Sequence, residues 1–218
     1  MECAAQVFTS LGYRRTQMAD VAKAMGVAPG TLYLYVESKE ALFDLVARRA
    51  FLDEPVSELP SLPIPTPAPG ATLRHLTERI AGERSFPLLD EALARAGTPD
   101  ARSEIDAILR QAYDALFRRR RAIKLMDRSA LDYPELAAFW FREGRENLMD
   151  RISRYLSTRI AAGAFRPVPD VAIAARFILE TLVLFAVHRH WDPAPQPMDE
   201  PAVKDTLVRF ITDALAQE

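Results

Sequence analysis

Residues 17–42 read QMADVAKAMGVAPGTLYLYVESKEAL, and this stretch decides the fold. Its pattern predicts two short helices joined by a glycine turn and followed by the start of a third, the layout of a helix-turn-helix. Thr16 stands where an N-cap is expected, and Met18, Val21, Ala22 and Met25 recur at the spacing of one inward helical face. Gly26 accepts the left-handed dihedrals that end a helix, and Val27 is expected to plug the turn into the core. Pro29 suits the first turn of the next helix, where its missing N–H would have had no partner. That second helix is predicted over Ala28–Val36. Ser38 is placed to cap the helix after it, with Glu40 in the first turn favouring the positive end of the dipole.

The second helix has the chemistry of a groove-reading element. Gly30 removes bulk where a helix N-terminus must approach a phosphate. Thr31 and Tyr33 carry hydroxyls for phosphate oxygens or base edges, and Leu34 suits a thymine methyl. Lys39 puts an ammonium at the next helix start, where it can pin the DNA backbone. Gln17, Met18, Pro29 and Tyr35 complete the set of candidate DNA contacts. A bare glycine turn reads equally well as a structural hairpin with its tyrosines in a core. The order Gly26-x-x-x-Gly30-Thr31-Leu32-Tyr33-x-Tyr35, followed by Ser38-Lys39-Glu40-Ala41-Leu42, is far more specific. It resembles the TetR family of bacterial transcriptional regulators.

The resemblance is close over residues 1 to about 50 and holds in outline beyond. Phe8, Gly12 and Tyr13 match the end of the family's first helix, Val21 and Ala22 its second, and Thr31, Leu32 and Tyr33 its recognition helix. Four positions depart from the pattern. Ala28 stands where Ser or Thr usually caps the recognition helix, Pro29 where a basic residue is common, Leu34 in place of an aromatic and Ala19 in place of an arginine. By this alignment Met1 falls inside the first helix, so the basic arm that usually precedes it is expected to be missing, through a late start or a trimmed sequence. Residues 1–50 hold six Lys plus Arg against five Asp plus Glu, a thin margin for phosphate neutralisation. Modest affinity per copy, recovered by dimerisation or by the missing arm, is the expectation.

With 218 residues, 49% hydrophobic and a net charge of −2, the chain can bury a full core and carries no overall signal for membrane surfaces or nucleic acid. The single cysteine, Cys3, excludes an internal disulfide and reads as a small core residue in a reducing compartment. The N-terminus runs straight into a polar amphipathic helix with no signal peptide, which predicts a cytoplasmic protein. Prolines crowd 55–69 and 192–201, and both segments read as stiff connectors. The expected organisation is all-α: a helix-turn-helix DNA-binding domain at 1–50, then a helical ligand-binding and dimerisation domain at 51–218.

Helices are predicted over 71–83, 86–96, 101–125, 134–162, 170–190 and 201–216, with Gly97-Thr98-Pro99 and Ala162-Gly163 as stops. Between Val171 and Val187, fourteen of seventeen residues are apolar, the exceptions being Arg176, Glu180 and Thr181. A helix apolar all round must be covered on all sides. The run is short and charged for a membrane span. One face on its own core and the other on a partner subunit explains it better, and the family resemblance implies a four-helix dimer interface here. Phe177, Glu180, Thr181, Leu184, Phe185 and His188 are the candidate interface residues.

A surplus of large side chains, Phe86, Tyr113, Phe117, Met126, Phe139, Trp140 and Phe141, suggests an inducer pocket between helices, although each ring alone is better read as core. Arg145, on the Phe141–Leu148 stripe, would need a partner if turned inward, which favours an apolar ligand with an anionic or carbonyl end.

Catalytic signals are few. His75, His188 and His190 form no metal-ligand spacing, no serine sits in a nucleophile elbow, and no glycine-rich loop cradles phosphate. No metal, cofactor or catalytic residue is expected. Arg118–Arg121 reads as a solvated helix end. The leading expectation is a homodimeric repressor that binds an inverted-repeat operator in double-stranded DNA and is released by a small-molecule inducer. The rival is an all-helical binding protein or enzyme with a vestigial helix-turn-helix.

Overall fold

A computed structural model of the chain describes residues 1–52, 62–82, 86–95, 97 and 100–217. Of the expected connector at 55–69, residues 55–61 lie outside the described residues, as do Thr98 and Pro99 of one expected stop. The all-α class holds. Among the described residues the only bridges are isolated ones, Val36 with Ile64 and Phe165 with Ala216. The chain divides into two compact units, Met1–Glu83 with Arg121–Glu143, and Arg84–Arg120 with Gly144–Glu218.

The first unit opens with α1 (Glu2–Leu11), α2 (Met18–Met25), α3 (Pro29–Leu32) and α4 (Lys39–Leu52), followed by α5 (Ala71–Gly82). The cap of α2 lies one residue later than the sequence suggests. Gln17 is the N-cap and exchanges a capping box with Asp20, whose Oδ2 accepts from Gln17 N at 2.8 Å, while the Thr16 hydroxyl donates to Gly12 O at 2.7 Å. Gly26 ends α2 in the left-handed region at φ 70°, as its composition requires. The second helix is shorter than expected: after Leu32 the chain tightens into i→i+3 bonds, Leu34 N to Thr31 O and Tyr35 N to Leu32 O. Ser38 caps α4, its Oγ accepting from Ala41 N at 3.1 Å.

Phe8, Val21, Leu32, Val36, Phe43 and Val46 fill the core of this unit together with Leu125 and Met126 from α8 (Arg120–Ala130) and Leu136 from α9 (Pro134–Ala137). Two expected core residues are outside it. Met25 and Val27 flank the turn in solvent, because the left-handed Gly26 swings the chain away from the inward face. Gly12 is required twice over. Its φ is +86°, and a Cβ there would meet Arg128 O at 3.1 Å and Asp132 Oδ2 at 3.3 Å.

The second unit holds α6 (Pro87–Leu93), α7 (Ala101–Arg118), α10 (Asn147–Ala161), α11 (Val171–Ala186) and α12 (Glu200–Leu215). The helix expected over 101–125 breaks at Arg119. Arg120 closes the end of α7, donating to Phe117 O at 2.7 Å with its guanidinium 4.1 Å above the Phe117 ring. The helix expected over 134–162 is π-helical across Ala138–Glu146. Its i→i+5 pattern turns less per residue than an α-helix, so the Phe141–Arg145–Leu148 stripe does not share one face.

One buried ion pair ties this unit together. Arg159, fully buried, donates Nε to Glu104 Oε1 at 2.8 Å and Nη2 to Glu104 Oε2 at 3.2 Å and to Ala92 O at 2.9 Å. Tyr155 donates to the same carboxylate at 3.0 Å. Burial, together with the Glu104 charge, pushes the Tyr155 hydroxyl far above the usual tyrosine range. This node fastens α6, α7 and α10.

Candidate nucleic-acid interface

The helix-turn-helix presents its second element outward. Pro29 and Gly30 are exposed, Thr31 is half-buried, and Tyr33, Leu34 and Tyr35 are exposed at 49%, 67% and 54%, whereas Leu32 anchors the segment in the core. Five of the nine predicted contacts thus share an exposed segment with Thr31 at its edge. Met18 does not join them. It is buried at 8% as an inward residue of α2, and Gln17 is occupied in the capping box.

Lys39 is half-buried and engaged: its Nζ donates to Arg14 O at 3.3 Å and lies 4.7 Å above the Tyr13 ring. Tyr13 donates to Glu40 Oε1 at 2.9 Å, and burial with this bond pushes its hydroxyl well above the usual range. Tyr13 also stacks on Tyr133 at 5.1 Å and packs on Phe43 at 4.7 Å. The ammonium therefore stands in a fixed place beside the exposed segment. Two further cations carry no motif signal: Lys23, exposed on α2, and Arg15, whose guanidinium is 3.9 Å from Asp132. The charge count was their only signal.

Residues 1–46 match the family model described as bacterial regulatory proteins, tetR family. The chain carries a TetR-family DNA-binding domain. It is similar over its whole length to YhgD of Bacillus subtilis (strain 168), an uncharacterized HTH-type transcriptional regulator, at 24% identity covering 99% of this chain and 94% of that protein. Among solved structures it resembles the ketosteroid transcriptional regulator KstR2 of Mycobacterium tuberculosis, with a TM-score of 0.60 and 19% identity over 100% of this chain and 93% of that one. It also resembles the transcriptional regulator FadR of Bacillus subtilis in complex with stearoyl-CoA, with a TM-score of 0.50 and 17% identity over 98% and 96% of the chains. At these identities the solved structures speak for the fold. Beyond that domain, the chain as a whole is similar to an HTH-type transcriptional regulator.

The second unit holds a cavity of about 40 Å³. Its walls come from α6, α7, α10 and α11 and include Leu89, Ile105, Ile108, Leu109, Ala112, Leu148, Ile152, Ile178 and Leu182. Tyr155 contributes the one hydroxyl-bearing ring, and that hydroxyl is taken by Glu104. Of the eight side chains expected to line a ligand pocket, Phe86 alone lines this cavity, and Phe139 lies in the core of the first unit.

The others have different work. Met126 is fully buried in the core of the first unit, with Trp140 and Phe141 packed against that core and Trp140 Nε1 donating to Asp127. Tyr113 is buried and donates to Glu200, which also accepts from Arg189. Phe117 packs on His190 at 5.5 Å. Arg145 is not an unpartnered buried cation, since it pairs with Glu180 at 3.8 Å on a half-exposed site. Apart from Phe86 and Tyr155 the cavity walls are aliphatic, where aromatics were expected. Its signal was the apolar spacing of α7 and α11, which periodicity also assigns to any core.

Of the expected dimer residues, Phe177 and Leu184 are exposed at 64% and 51%, and Ile173 and Phe210 join them at 68% and 70%. Glu180, Thr181, Phe185 and His188 are half-buried. No helix among the described residues is long and apolar enough to cross a membrane.

Proposed function

We propose that this chain is a ligand-responsive repressor that binds an inverted-repeat operator as a homodimer and is released by a small apolar molecule. Residues 1–50 read DNA and residues 51–218 bind ligand and dimerise, in the cytoplasm. The observation that carries the reading is a small cavity with an apolar lining in a compact unit separate from the one bearing the helix-turn-helix. The row Ile173, Phe177 and Leu184, spaced at helical repeats along α11, supports a self-complementary interface, and two-fold symmetry then implies inverted half-sites.

The ligand implied by these walls is uncharged where it fills the cavity, such as a fatty acyl chain or a steroid nucleus. FadR with stearoyl-CoA and the ketosteroid regulator KstR2 are relatives of matching ligand chemistry. Arg145 is left out of the ligand site because Glu180 already partners it. About 40 Å³ is far below the ~300–1,000 Å³ of ordinary ligand pockets, so binding separates the helices around the cavity. That separation favours a state in which the two recognition elements no longer match successive major grooves, and DNA affinity falls by mass action.

The test is a thermal-shift screen of long-chain alcohols, acyl-CoA esters and steroids, followed by operator release measured by fluorescence anisotropy. Ala112→Phe, which fills the cavity, is expected to abolish both responses. A hit that stabilises the protein and leaves operator affinity unchanged overturns the coupling. The second reading, a binding protein with a vestigial helix-turn-helix, is favoured by the margin of six cations over five acids in residues 1–50. It predicts no salt-dependent retention on duplex DNA.

A further inference from the structure

Residues 24–36, AMGVAPGTLYLYV, contain no charged side chain and no side-chain amide. This is the turn and the outward element of the helix-turn-helix, and its side-chain hydrogen-bonding groups are the hydroxyls of Thr31, Tyr33 and Tyr35. The nearest amide in sequence, Gln17, is held in the cap of α2. Lys23 precedes the segment and Lys39 follows it, the latter fixed over Tyr13. Base recognition by the bidentate pairings of arginine or lysine with guanine, or of asparagine or glutamine with adenine, is therefore closed to this segment.

What remains in the major groove is hydroxyl bonding and apolar contact with the C5-methyl, a group that thymine alone presents. The segment is built for the second. Leu34 is the most exposed of its large hydrophobic side chains, at 67%, between the exposed rings of Tyr33 and Tyr35. At Gly30 an added Cβ would meet no protein atom within 4 Å, so the packing of the protein does not demand the glycine and the space above it is open. The flanking cations supply phosphate attraction without reading bases.

We propose that the domain reads its operator through thymine methyl groups, with Leu34 as the specificity-determining residue. This deepens the DNA-binding reading and rests on it. The half-site is then rich in A·T pairs, with the orientation of each pair set by the side on which the methyl lies.

The experiment uses the full chain and duplexes enriched from a random library. Each thymine of the half-site is replaced in turn by deoxyuridine, which keeps every hydrogen-bonding group and removes only the methyl. Affinity is expected to fall about fourfold at each contacted thymine, the effect of one buried methyl-sized group. In Leu34→Ala the thymine and uracil duplexes are expected to bind equally at one position. Because Leu34 is exposed, this variant keeps its fold, and an unchanged melting midpoint verifies that. Equal binding of thymine and uracil duplexes by the wild type, with preference over scrambled sequence retained, overturns the methyl reading and leaves DNA binding standing. Absence of preference for any duplex overturns both. An undiminished thymine preference in Leu34→Ala overturns the assignment to that residue.

Discussion

Two surfaces of this chain leave large apolar side chains in water, and they are built differently. At the helix-turn-helix, Tyr33, Leu34 and Tyr35 lie on a tightened turn after a four-residue helix, hydroxyls alternate with alkyl, and lysines stand on either side in sequence. On α11, Ile173, Phe177 and Leu184 form a straight row along a regular sixteen-residue helix. Beside that row a single carboxylate, Glu180, holds two cations, with Arg176 and Arg145 at 3.7 and 3.8 Å from it. A short, hydroxyl-dotted patch bracketed by cations suits the edges of base pairs and their phosphates. A long row whose own side chains are alkyl and aromatic suits a second copy of itself. Exposure alone does not distinguish the two surfaces; the polar groups around them do.

The largest effect is expected on the row. Phe177→Asp with Leu184→Asp removes four large apolar contacts from a two-fold interface, each worth about 1.5–3 kcal/mol. Sedimentation should show the dimer constant weakened by more than about a thousandfold. A stable wild-type monomer at micromolar concentration breaks the comparison at once.

Glu104→Gln comes next. It leaves the buried Arg159 guanidinium without its counter-charge and should cost about 3 kcal/mol, a midpoint drop of roughly 6–12 °C by calorimetry. Oligomeric state should not move. If it does, the row depends on the core of its unit more than the comparison allows.

On the other surface, Tyr33→Phe should weaken operator binding by about 1 kcal/mol, measured by anisotropy, through a lost phosphate or base hydrogen bond. Gly30→Ala should lower DNA affinity while leaving thermal stability intact, since no protein atom contests the new methyl.

The smallest effect concerns His190. Burial holds its pKa below the usual histidine range, with Arg189 and then Arg120 pushing the same way against Glu200. The unfolded chain takes up this proton first as pH falls, so stability present above about pH 6.5 declines below it. In His190→Asn the melting midpoint between pH 5 and 7.5 should show a flatter slope.

The helix-turn-helix was legible because its signals are local. Gly26 must turn, Pro29 starts a helix, Ser38 caps one, and each acts within four residues of itself. The same locality explains the misses. The cap of α2 went to Gln17 rather than Thr16 because Asp20 reciprocates with it, a choice between two good candidates that composition does not make. The break at Arg119 and the π-helical stretch at Ala138–Glu146 were not legible either, since helical periodicity runs unbroken through both.

The sequence by itself determined the all-α class, the helix-turn-helix segment and the apolar excess of α11, because propensity, capping and spacing are properties of neighbours. Only the tertiary structure decided which side chains meet. Periodicity says that Met126, Trp140 and Phe141 seek cover and does not say under which helix. It sent them to the core of the first unit, and left aliphatic residues of α7, α10 and α11 around the cavity. Nor could spacing show that Arg159, rather than Arg145, is the buried cation. Its partner Glu104 lies fifty-five residues away, and the pairing exists only because α7 and α10 pack side by side.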